Sequence, residues 1–382
     1  MPASTPYQPA ESSRIRAEFP MLENYIYFNS AGLAPIPVKT RDAIMGMARE
    51  VSVTAYLNMD EWKAKVAETR QLAARITGGT VEETAFIRNT SDGVSLVASG
   101  YPFREGDEVI INDLEFPSNV YPWLNLQRKG VNVKIVKSRE GRVTVDDIAR
   151  EVTSKTRFVA ISTTQYSTGF RADLAGLGQL AREKGFLFFV DAIQSLGVLP
   201  MDVKGFGIDF LACGGHKWLC APEGIGIFHC NRERLDTLEL TRTGWHTVKD
   251  CYNFAHIDFT PHPTAERFEE GTMNIMGIYG LAESLKTVMM FGIQRNEAQA
   301  LHLTGLIAEG ARSKGYNVLS PMEDRERSSI LIISHADPSQ NARIVKRLNA
   351  NRVLLMERGG GIRVAAHFFN TEEDVEKLVE LL

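Results

Sequence analysis

The stretch TRFVAISTTQYSTGFRADLAGLGQLAREKGFLFFVDAIQS, residues 156–195, decides the fold. Its apolar runs 156–162 and 186–191 have the length and composition of buried strands. The segment 171–185 between them has helical periodicity and ends at Gly185, a residue typical of helix ends. Strands that are apolar on both faces are typical of a parallel sheet covered by helices. The stretch therefore predicts an α/β fold.

The same alternation extends toward the N-terminus of this stretch. EVIIND (108–113) and VNVKIV (131–136) are predicted strands, each bounded by turn residues. A helix is expected to begin near Asn119 and to connect them. These elements enlarge the predicted sheet.

The pattern changes beyond about residue 260. A long helix is predicted over 277–314, strands over 328–334 and 361–367, and a final helix from Thr371. This change indicates a second, smaller α+β region. We expect three parts: an N-terminal arm that associates with the small domain (1–27), a large domain (28–260) and a small C-terminal domain (261–382).

The composition disfavours several classes of partner. The chain has 382 residues, 44% hydrophobic and 24% charged, which is ordinary for a globular protein of two domains. Its net charge of -4 offers no broad basic surface for nucleic acid or an anionic membrane. The N-terminus lacks the apolar stretch of a secretory signal, and no apolar run is long enough to span a bilayer. We expect a cytoplasmic protein that binds a small molecule.

The four cysteines give no sign of a metal site. Cys213, Cys220, Cys230 and Cys251 form no C-x-x-C pair and have no accompanying histidine spacing. We interpret them as reduced core thiols.

Three features of the sequence carry chemistry. Asp191 ends an apolar strand, where doubly wound sheets bind ligands. Lys217, in CGGHKW, lies between two apolar runs, and desolvation there would make its amine nucleophilic. Thr90 and Ser91 stand where a strand gives way to a predicted helix, and hydroxyls and free N–H groups bind phosphate there. Each feature alone also has an ordinary explanation: a turn-forming aspartate, a lysine that reaches water, or a helix N-cap.

Together the three features meet the needs of pyridoxal 5′-phosphate (PLP), which takes a lysine for its aldehyde, an anion for its pyridine nitrogen and donors for its phosphate. Three longer motifs agree: VDAIQS (190–195), GGHKWLCAPEGIGIF (214–228) and RFEEGTMNIMGIYGL (267–281). With them the chain resembles the class V aminotransferase family of fold-type I PLP enzymes, which includes cysteine desulfurases, kynureninases and isopenicillin N epimerase-like proteins. The resemblance implies a mainly parallel, seven-stranded-type sheet in the large domain, a smaller α+β C-terminal domain, and a homodimer with shared active sites.

The resemblance also implies roles for individual residues. Lys217 would hold PLP as a Schiff base and move protons as the catalytic residue. Asp191 would keep the pyridine nitrogen protonated, and Gln194 would hydrogen-bond the phenolic oxygen. Phe116 would stack on the cofactor ring, and Arg363 would bind the α-carboxylate of an amino acid substrate.

The remaining implied contacts fall into two groups. The phosphate would be bound by Thr90, Ser91 and His216, with Thr272 reaching it from the neighbouring subunit. The substrate would be bordered by Asn29, Ala31, Gly32, Tyr166 and Trp245.

Departures from the family pattern bear on the reaction. Cysteine desulfurases carry a loop cysteine shortly before the arginine, because persulfide formation requires a thiolate, whereas no cysteine follows Cys251 here. Phe116 stands where desulfurases stack a histidine, and Gly214 stands where the family usually has a serine. The motifs EFPSN (115–119) and RGGGIR (358–363) are nearer to the isopenicillin N epimerase-like branch.

These observations favour a PLP-dependent enzyme that acts at the Cα of an amino acid by transamination or epimerisation. Two alternatives stay open. One is β-elimination of the cysteine desulfurase or selenocysteine lyase kind, and the other is a non-catalytic PLP-binding protein. No nucleic acid, membrane or metal partner is expected.

Overall fold

The computed structural model describes residues 5–382. In that range the strands are β1 (Ile26–Tyr27), β2 (Thr84–Ile87), β3 (Glu108–Asn112), β4 (Asn132–Val136), β5 (Thr156–Ser162), β6 (Leu187–Asp191), β7 (Phe210–Gly214), β8 (Gly226–Cys230), β9 (Asn317–Val318), β10 (Ile330–Ser334), β11 (Val353–Leu354), β12 (Met356–Arg358) and β13 (Gly361–Ala365). The α-helices are α1 (Pro9–Arg16), α2 (Val38–Thr54), α3 (Met59–Thr77), α4 (Thr90–Gly100), α5 (Tyr121–Leu124), α6 (Val145–Glu151), α7 (Leu174–Lys184), α8 (Ile275–Val288), α9 (Ile293–Ser313), α10 (Asn341–Ala350) and α11 (Glu372–Leu381).

Seven strands form the central sheet, in the order β2-β8-β7-β6-β5-β3-β4. The pairs among β7, β6, β5, β3 and β4 are parallel, and β8 runs antiparallel to both of its neighbours, β2 and β7. Apart from the partly buried Leu187, the apolar side chains of β5, β6 and β7 are buried, as expected of strands covered on both faces. The expected α/β fold with a mainly parallel seven-stranded sheet is confirmed.

Two helical segments differ from the sequence expectation. No single helix begins near Asn119, because the chain there forms a 3-10 turn over Pro117–Asn119, the short α5, and a second 3-10 turn. The expected helix over 277–314 is two helices, because Gly292 adopts a φ of 90° between α8 and α9 and breaks the α-helical backbone. Between residues 5 and 382, no helix is both long enough and apolar enough to cross a membrane.

A second sheet, in the order β12-β13-β10-β9, supports one wall of the site. Its neighbouring pairs are antiparallel. Strand β13 carries Arg363 and places it opposite Ile332 of β10 and Met356 of β12. Thr371, from which the final helix was predicted, is the N-cap of α11, and its hydroxyl accepts from the N–H of Asp374.

The N-terminal segment lies against these C-terminal elements. Arg295 of α9 binds Glu11 at 2.6 Å, and Arg16 binds Asp374 of α11 at 2.8 Å. Strand β1 pairs in parallel with β11. These contacts are of the kind that an N-terminal arm on the small domain requires, and the domain boundaries themselves stay a prediction.

Candidate active site

A cavity of about 360 Å³ opens at the carboxyl ends of the parallel strands. Strand β6 ends at Asp191, and β7 leads through a turn to Lys217. This edge of a doubly wound sheet is where ligands bind. Most residues predicted from the sequence line the cavity together: Ala31, Gly32, Thr90, Ser91, Phe116, Tyr166, Asp191, Gln194, His216, Lys217 and Arg363.

Asp191 is 1% exposed, and only one of its carboxylate oxygens is satisfied. Oδ1 accepts from the backbone N–H of Ile193 at 2.9 Å, whereas Oδ2 has no hydrogen-bond partner among the described residues. Burial raises the pKa of Asp191, and the nearby Lys217 cation opposes this shift. A buried carboxylate oxygen is unfavourable unless a cation or donor faces it. Oδ2 is therefore suited to pair with a protonated ring nitrogen.

Lys217 is 8% exposed, and its Nζ lies 5.5 Å from the centre of the Phe116 ring. Burial lowers the pKa of the Lys217 amine, Asp191 opposes this shift, and Arg363 adds to it. A lowered pKa leaves more of the amine neutral near pH 7, and the neutral amine is the nucleophile toward an aldehyde. The Phe116 ring, in turn, meets Tyr166 edge to face at 5.2 Å, so the two aromatic rings form one wall beside the amine.

The start of α4 forms another wall of the cavity. First-turn N–H groups have no partner inside their own helix, so Thr90 and Ser91 present N–H groups as well as hydroxyls. Thr90 Oγ1 accepts from the N–H of Gly214 at 3.0 Å, which leaves the hydroxyl proton free to donate. A side chain at Gly214 would lie 3.2 Å from the His216 ring, so the glycine makes room for that ring. Burial and the Lys217 cation lower the pKa of His216, which favours the neutral imidazole.

Gln194 is held in one orientation by its neighbours. Its Oε1 accepts from the indole Nε1 of Trp218 at 3.0 Å, and its Nε2 donates to the carbonyl of Ala31 at 3.1 Å. The second N–H of the amide is therefore the group left to face a phenolic oxygen. The ring of His367 supports Trp218: its Nδ1 accepts from the Phe368 N–H, so Nε2 carries the proton and donates to the Trp218 carbonyl at 3.1 Å.

Arg363 is 3% exposed and contacts only uncharged groups. Nη1 donates to the carbonyl of Tyr166 at 3.3 Å, and Nη2 lies 3.2 Å from both Asn29 Oδ1 and Met356 Sδ. Burial lowers its pKa to about 10. A buried guanidinium without a carboxylate favours an anionic ligand. Asn29 contacts Arg363 and is not itself among the residues that line the cavity.

The cavity also contains residues that the sequence did not single out: Asn89, Ser118, Ile193, Met356 and Arg358. The hydroxyl of Ser118 accepts from Ser91 at 2.8 Å. The consecutive glycines after Arg358 are a hairpin signal that could have placed this residue beside Arg363. No local sequence pattern predicts that Asn89, Ser118, Ile193 or Met356 lines the cavity.

A buried carboxylate, Glu115, lies behind the cavity. It accepts from the side chains of Asn112, Asn119 and Gln165 and from the N–H of Ser162, all within 2.9 Å. These bonds satisfy the carboxylate and anchor the loop that carries Phe116. The charge of Glu115 also contributes to the raised pKa of Asp191, after burial.

Two predicted residues lie elsewhere. Thr272 and Trp245 line a separate cavity of about 570 Å³, together with Trp62 and Tyr252, and neither lines the cavity of Lys217. Both are exposed in the single chain. One chain does not bring them to Lys217, so their predicted contacts require a second chain.

The residues present fit PLP on three counts. The unpaired Oδ2 of Asp191 suits the pyridine nitrogen, and the buried amine of Lys217 suits the aldehyde. The start of α4, with Thr90 and its free hydroxyl proton, suits the phosphate.

Comparison with known proteins agrees with this fit. The profile of the family described as "Aminotransferase class-V" matches residues 26–378. A protein of Methanothermobacter thermautotrophicus named "Probable cysteine desulfurase" is 30% identical over 401 residues, covering 96% of both chains. The apo structure of the cysteine desulfurase from Thermococcus onnurineus has a TM-score of 0.87 at 25% identity, over 99% of this chain and 98% of that one. A structure of the cystine C-S lyase C-DES with its reaction product cysteine persulfide has a TM-score of 0.87 at 22% identity, over 95% and 98%, and shows a shared fold.

The sheet and the cavity at its carboxyl edge define an α/β enzyme of the fold-type I PLP class. Within that class, the chain belongs to the aminotransferase class-V family. This membership confirms the family and the PLP-dependent enzyme expected from the sequence. The relatives reported above are cysteine desulfurases and a C-S lyase, so the placement nearest the isopenicillin N epimerase-like branch is not shown. The homodimer and the cytoplasmic location stay predictions.

Proposed function

We propose that this enzyme cleaves the carbon–sulfur bond of a cysteine-type amino acid by β-elimination, without forming a persulfide on the protein. Similarity to cysteine desulfurases supports sulfur chemistry over the transamination or epimerisation that the sequence favoured. One observation supports a reaction without a protein persulfide. All four cysteines lie in the described chain, and none of them lines the cavity. A protein persulfide requires an accessible thiolate beside the substrate.

The cysteines also have the wrong environment for that role. Cys213, Cys220 and Cys230 are buried, and burial raises the pKa of each thiol. Cys251 is half-buried outside the cavity of its own chain, in the same segment as Trp245, and its pKa is raised as well. A thiol with a raised pKa is a poor sulfur acceptor, because the thiolate is the nucleophile.

Three residues of the cavity have defined tasks in this proposal. Bound PLP supplies an electron sink for negative charge at the substrate Cα. Asp191 keeps the ring nitrogen protonated, and Arg363 holds the α-carboxylate so that the Cα–H bond stays oriented. Lys217 Nζ accepts the Cα proton, since its lowered pKa leaves it neutral, and then returns a proton to the departing sulfur.

Product analysis tests the proposal. With L-cysteine, the holoenzyme should release sulfide, pyruvate and ammonia in equal amounts, and with L-cystine it should release cysteine persulfide, pyruvate and ammonia. Alanine together with sulfur bound to the protein would instead show desulfuration. A pyridoxamine form with a keto acid would show transamination, and appearance of the D-amino acid would show epimerisation.

Cys251→Ser serves as the matched control variant. Because the proposed reaction needs no protein thiol, the variant should retain the rate and products of the wild type. Loss of sulfur release in Cys251→Ser would identify Cys251 as a sulfur acceptor and overturn the elimination proposal.

We further infer that the active enzyme is a homodimer. The residues Phe254, Ile257 and Phe259 are 72%, 91% and 62% exposed in the single chain, and they belong to the same segment as Trp245. An apolar surface of this kind marks an interface. A second copy seated there would cover these side chains, and it could bring Thr272 to the partner's phosphate site, as the family resemblance implies.

A further inference from the structure

The hairpin of β12 and β13 presents two arginines on one face. The two strands are antiparallel, with Met356 opposite Arg363 and Arg358 opposite Gly361. Residues two apart on a strand share a face, and directly opposed residues share a face as well. Met356, Arg358 and Arg363 therefore point to the same side, and all three line the cavity of Lys217.

The two arginines are diagonal neighbours across the hairpin. Such positions lie about 7–8 Å apart at the backbone, within reach of side chains as long as arginine. Glu357, the only acidic residue of β12, lies between Met356 and Arg358. Because successive side chains of a strand point to opposite faces, Glu357 points away from the two arginines. In the described chain, Arg363 contacts a carbonyl, an amide and a thioether, and neither arginine forms an ion pair with a carboxylate. Two like charges on one face repel unless an anion lies between them or beside each.

The hairpin fixes the backbone position of Arg358, whose side chain is exposed. Its two-residue turn, Gly359-Gly360, has φ of 61° and 77°, the conformation of a type I′ turn. A Cβ at Gly359 would lie 1.8 Å from the carbonyl oxygen of Ser167, so the turn packs directly against the neighbouring loop. Gly361, opposite Arg358, has no side chain to compete for the space above it. Burial lowers the pKa of Arg363, and the charge of Arg358 lowers it further, in keeping with two guanidiniums that face the same space.

We propose that Arg358 binds a second anionic group of the substrate, so that the site prefers sulfur amino acids whose sulfur leads to an acidic group over free cysteine. This inference rests on the proposed C–S cleavage for its choice of substrates. Arg363 takes the α-carboxylate, and Arg358 takes the anion beyond the sulfur. The substrate class is that of S-sulfocysteine and cystine, which carry a sulfonate or a second carboxylate past the scissile Cβ–S bond.

The reaction of S-sulfocysteine balances without any oxidant. The Cα proton passes to Lys217, the Cβ–S bond breaks, and the sulfur leaves with the bonding electron pair as thiosulfate. Water then completes the conversion of the carbon skeleton to pyruvate and ammonia. Arg358 stabilises a leaving group that is more negative after cleavage than before.

Steady-state kinetics with S-sulfocysteine and cysteine test this assignment. Arg358→Gln should lower kcat/KM for S-sulfocysteine about tenfold or more, and should change kcat/KM for cysteine about twofold or less. Arg358→Lys should recover part of the loss, because it restores the charge without the planar fork. Glu357→Gln, on the opposite face of the same strand, should leave both substrates unchanged. An equal loss for both substrates in Arg358→Gln would overturn the inference.

A binding measurement separates this inference from the proposed reaction. Calorimetry of the holoenzyme should show tighter binding of glutarate than of butyrate, and Arg358→Gln should abolish that preference. If no C–S cleavage occurs but the preference for the dicarboxylate is present, the proposed reaction fails and the second anion site stands. If cleavage occurs but glutarate and butyrate bind equally, the second anion site fails and the reaction stands.

Discussion

Buried charge without a partner marks the residues that await a ligand in this molecule. Asp191 has a free carboxylate oxygen, and Arg363 is surrounded by uncharged acceptors. Burial shifts the pKa of Asp191, Lys217 and Arg363 toward the uncharged form of each group. Arrangements of this kind reduce the stability of the empty protein, and they are characteristic of functional sites because the ligand supplies the missing partners.

Lys217 is the first residue to test. Borohydride reduction of the wild-type holoenzyme should attach the cofactor irreversibly to the peptide that contains Lys217, since a reducible carbon–nitrogen bond to this amine is expected. Mass spectrometry of the digested protein would locate the label. Lys217→Ala should give no labelled peptide, whereas a variant of the exposed Lys137, Lys137→Ala, should be labelled like the wild type. Labelling of Lys217→Ala at another lysine would contradict the assignment.

Asp191→Asn tests the energetic effect of the buried carboxylate. Because the pKa of Asp191 is raised by folding, the apoprotein loses stability as the pH rises above 3.8, the ordinary pKa of aspartate, and through the raised value. Below 3.8 the penalty is absent. We therefore expect the apo variant to melt roughly 2 to 4 °C above the apo wild type at pH 8, with no difference near pH 4.

Calorimetry across this pH range would measure the difference between the two proteins. PLP should reverse the order at pH 8, because only the wild type gains an ion pair with the ring nitrogen. A stability gain of equal size at both pH values would show that the carboxylate charge is not its cause.

At the scale of elements, turns and strand ends determine where the chemistry sits. The ends of β6 and β7 place Asp191 and the segment leading to Lys217 on one edge of the sheet, and α4 begins at the same edge. The predicted strands that correspond to β3, β4, β5, β6, β10 and β13 agree with the structure to within two residues at each end, whereas the short strands β1, β9, β11 and β12 were not predicted. The break between α8 and α9 could not be predicted from the sequence. A single glycine is tolerated inside a helix, and Gly292 interrupts this one because its φ is 90°.

The glycine turn of the β12–β13 hairpin allows a matched pair of variants. Gly359→Ala adds a Cβ that would lie 1.8 Å from the carbonyl of Ser167, so the hairpin must move. We expect the KM for S-sulfocysteine to rise about tenfold, with little change in PLP affinity, because Met356 and Arg358 move with the hairpin. Gly360→Ala meets nothing within 4 Å and has only the strain of its positive φ, about 1 kcal/mol. Equal KM values for the two variants would contradict this account.

At the scale of the whole molecule, the proposed dimer would complete the site. Thr272 and Trp245 lie in a cavity separate from that of Lys217, on a face with exposed apolar side chains. A symmetric dimer uses the same patch of each chain, so two equivalent composite sites would form at once. A monomer would keep Lys217, Asp191 and Arg363 together but would lack the predicted contact from Thr272.

Mixed dimers test whether Thr272 acts across the interface. Lys217→Ala and Thr272→Val should each be weakly active alone. After unfolding together and refolding, half of the dimers would be mixed, and each mixed dimer would hold one site with both native residues. Activity should therefore recover to about a quarter of that of the wild type. No recovery in dimers shown to be mixed by mass would mean that Thr272 acts within its own chain.

The sequence by itself determined the parts of this protein that depend on local pattern. Apolar runs predicted the longer strands, because burial on both faces of a sheet demands them. Asp191 was identified at a strand end, and Lys217 was identified between two apolar runs by its combination with the other features and the family motifs. Only the tertiary structure decided which residues from distant segments share a wall. Arg358 joins Arg363 because of the strand register, and Thr272 is separated from Lys217 because of the path of the chain. Register and path depend on contacts between residues far apart in the chain, which no local pattern records.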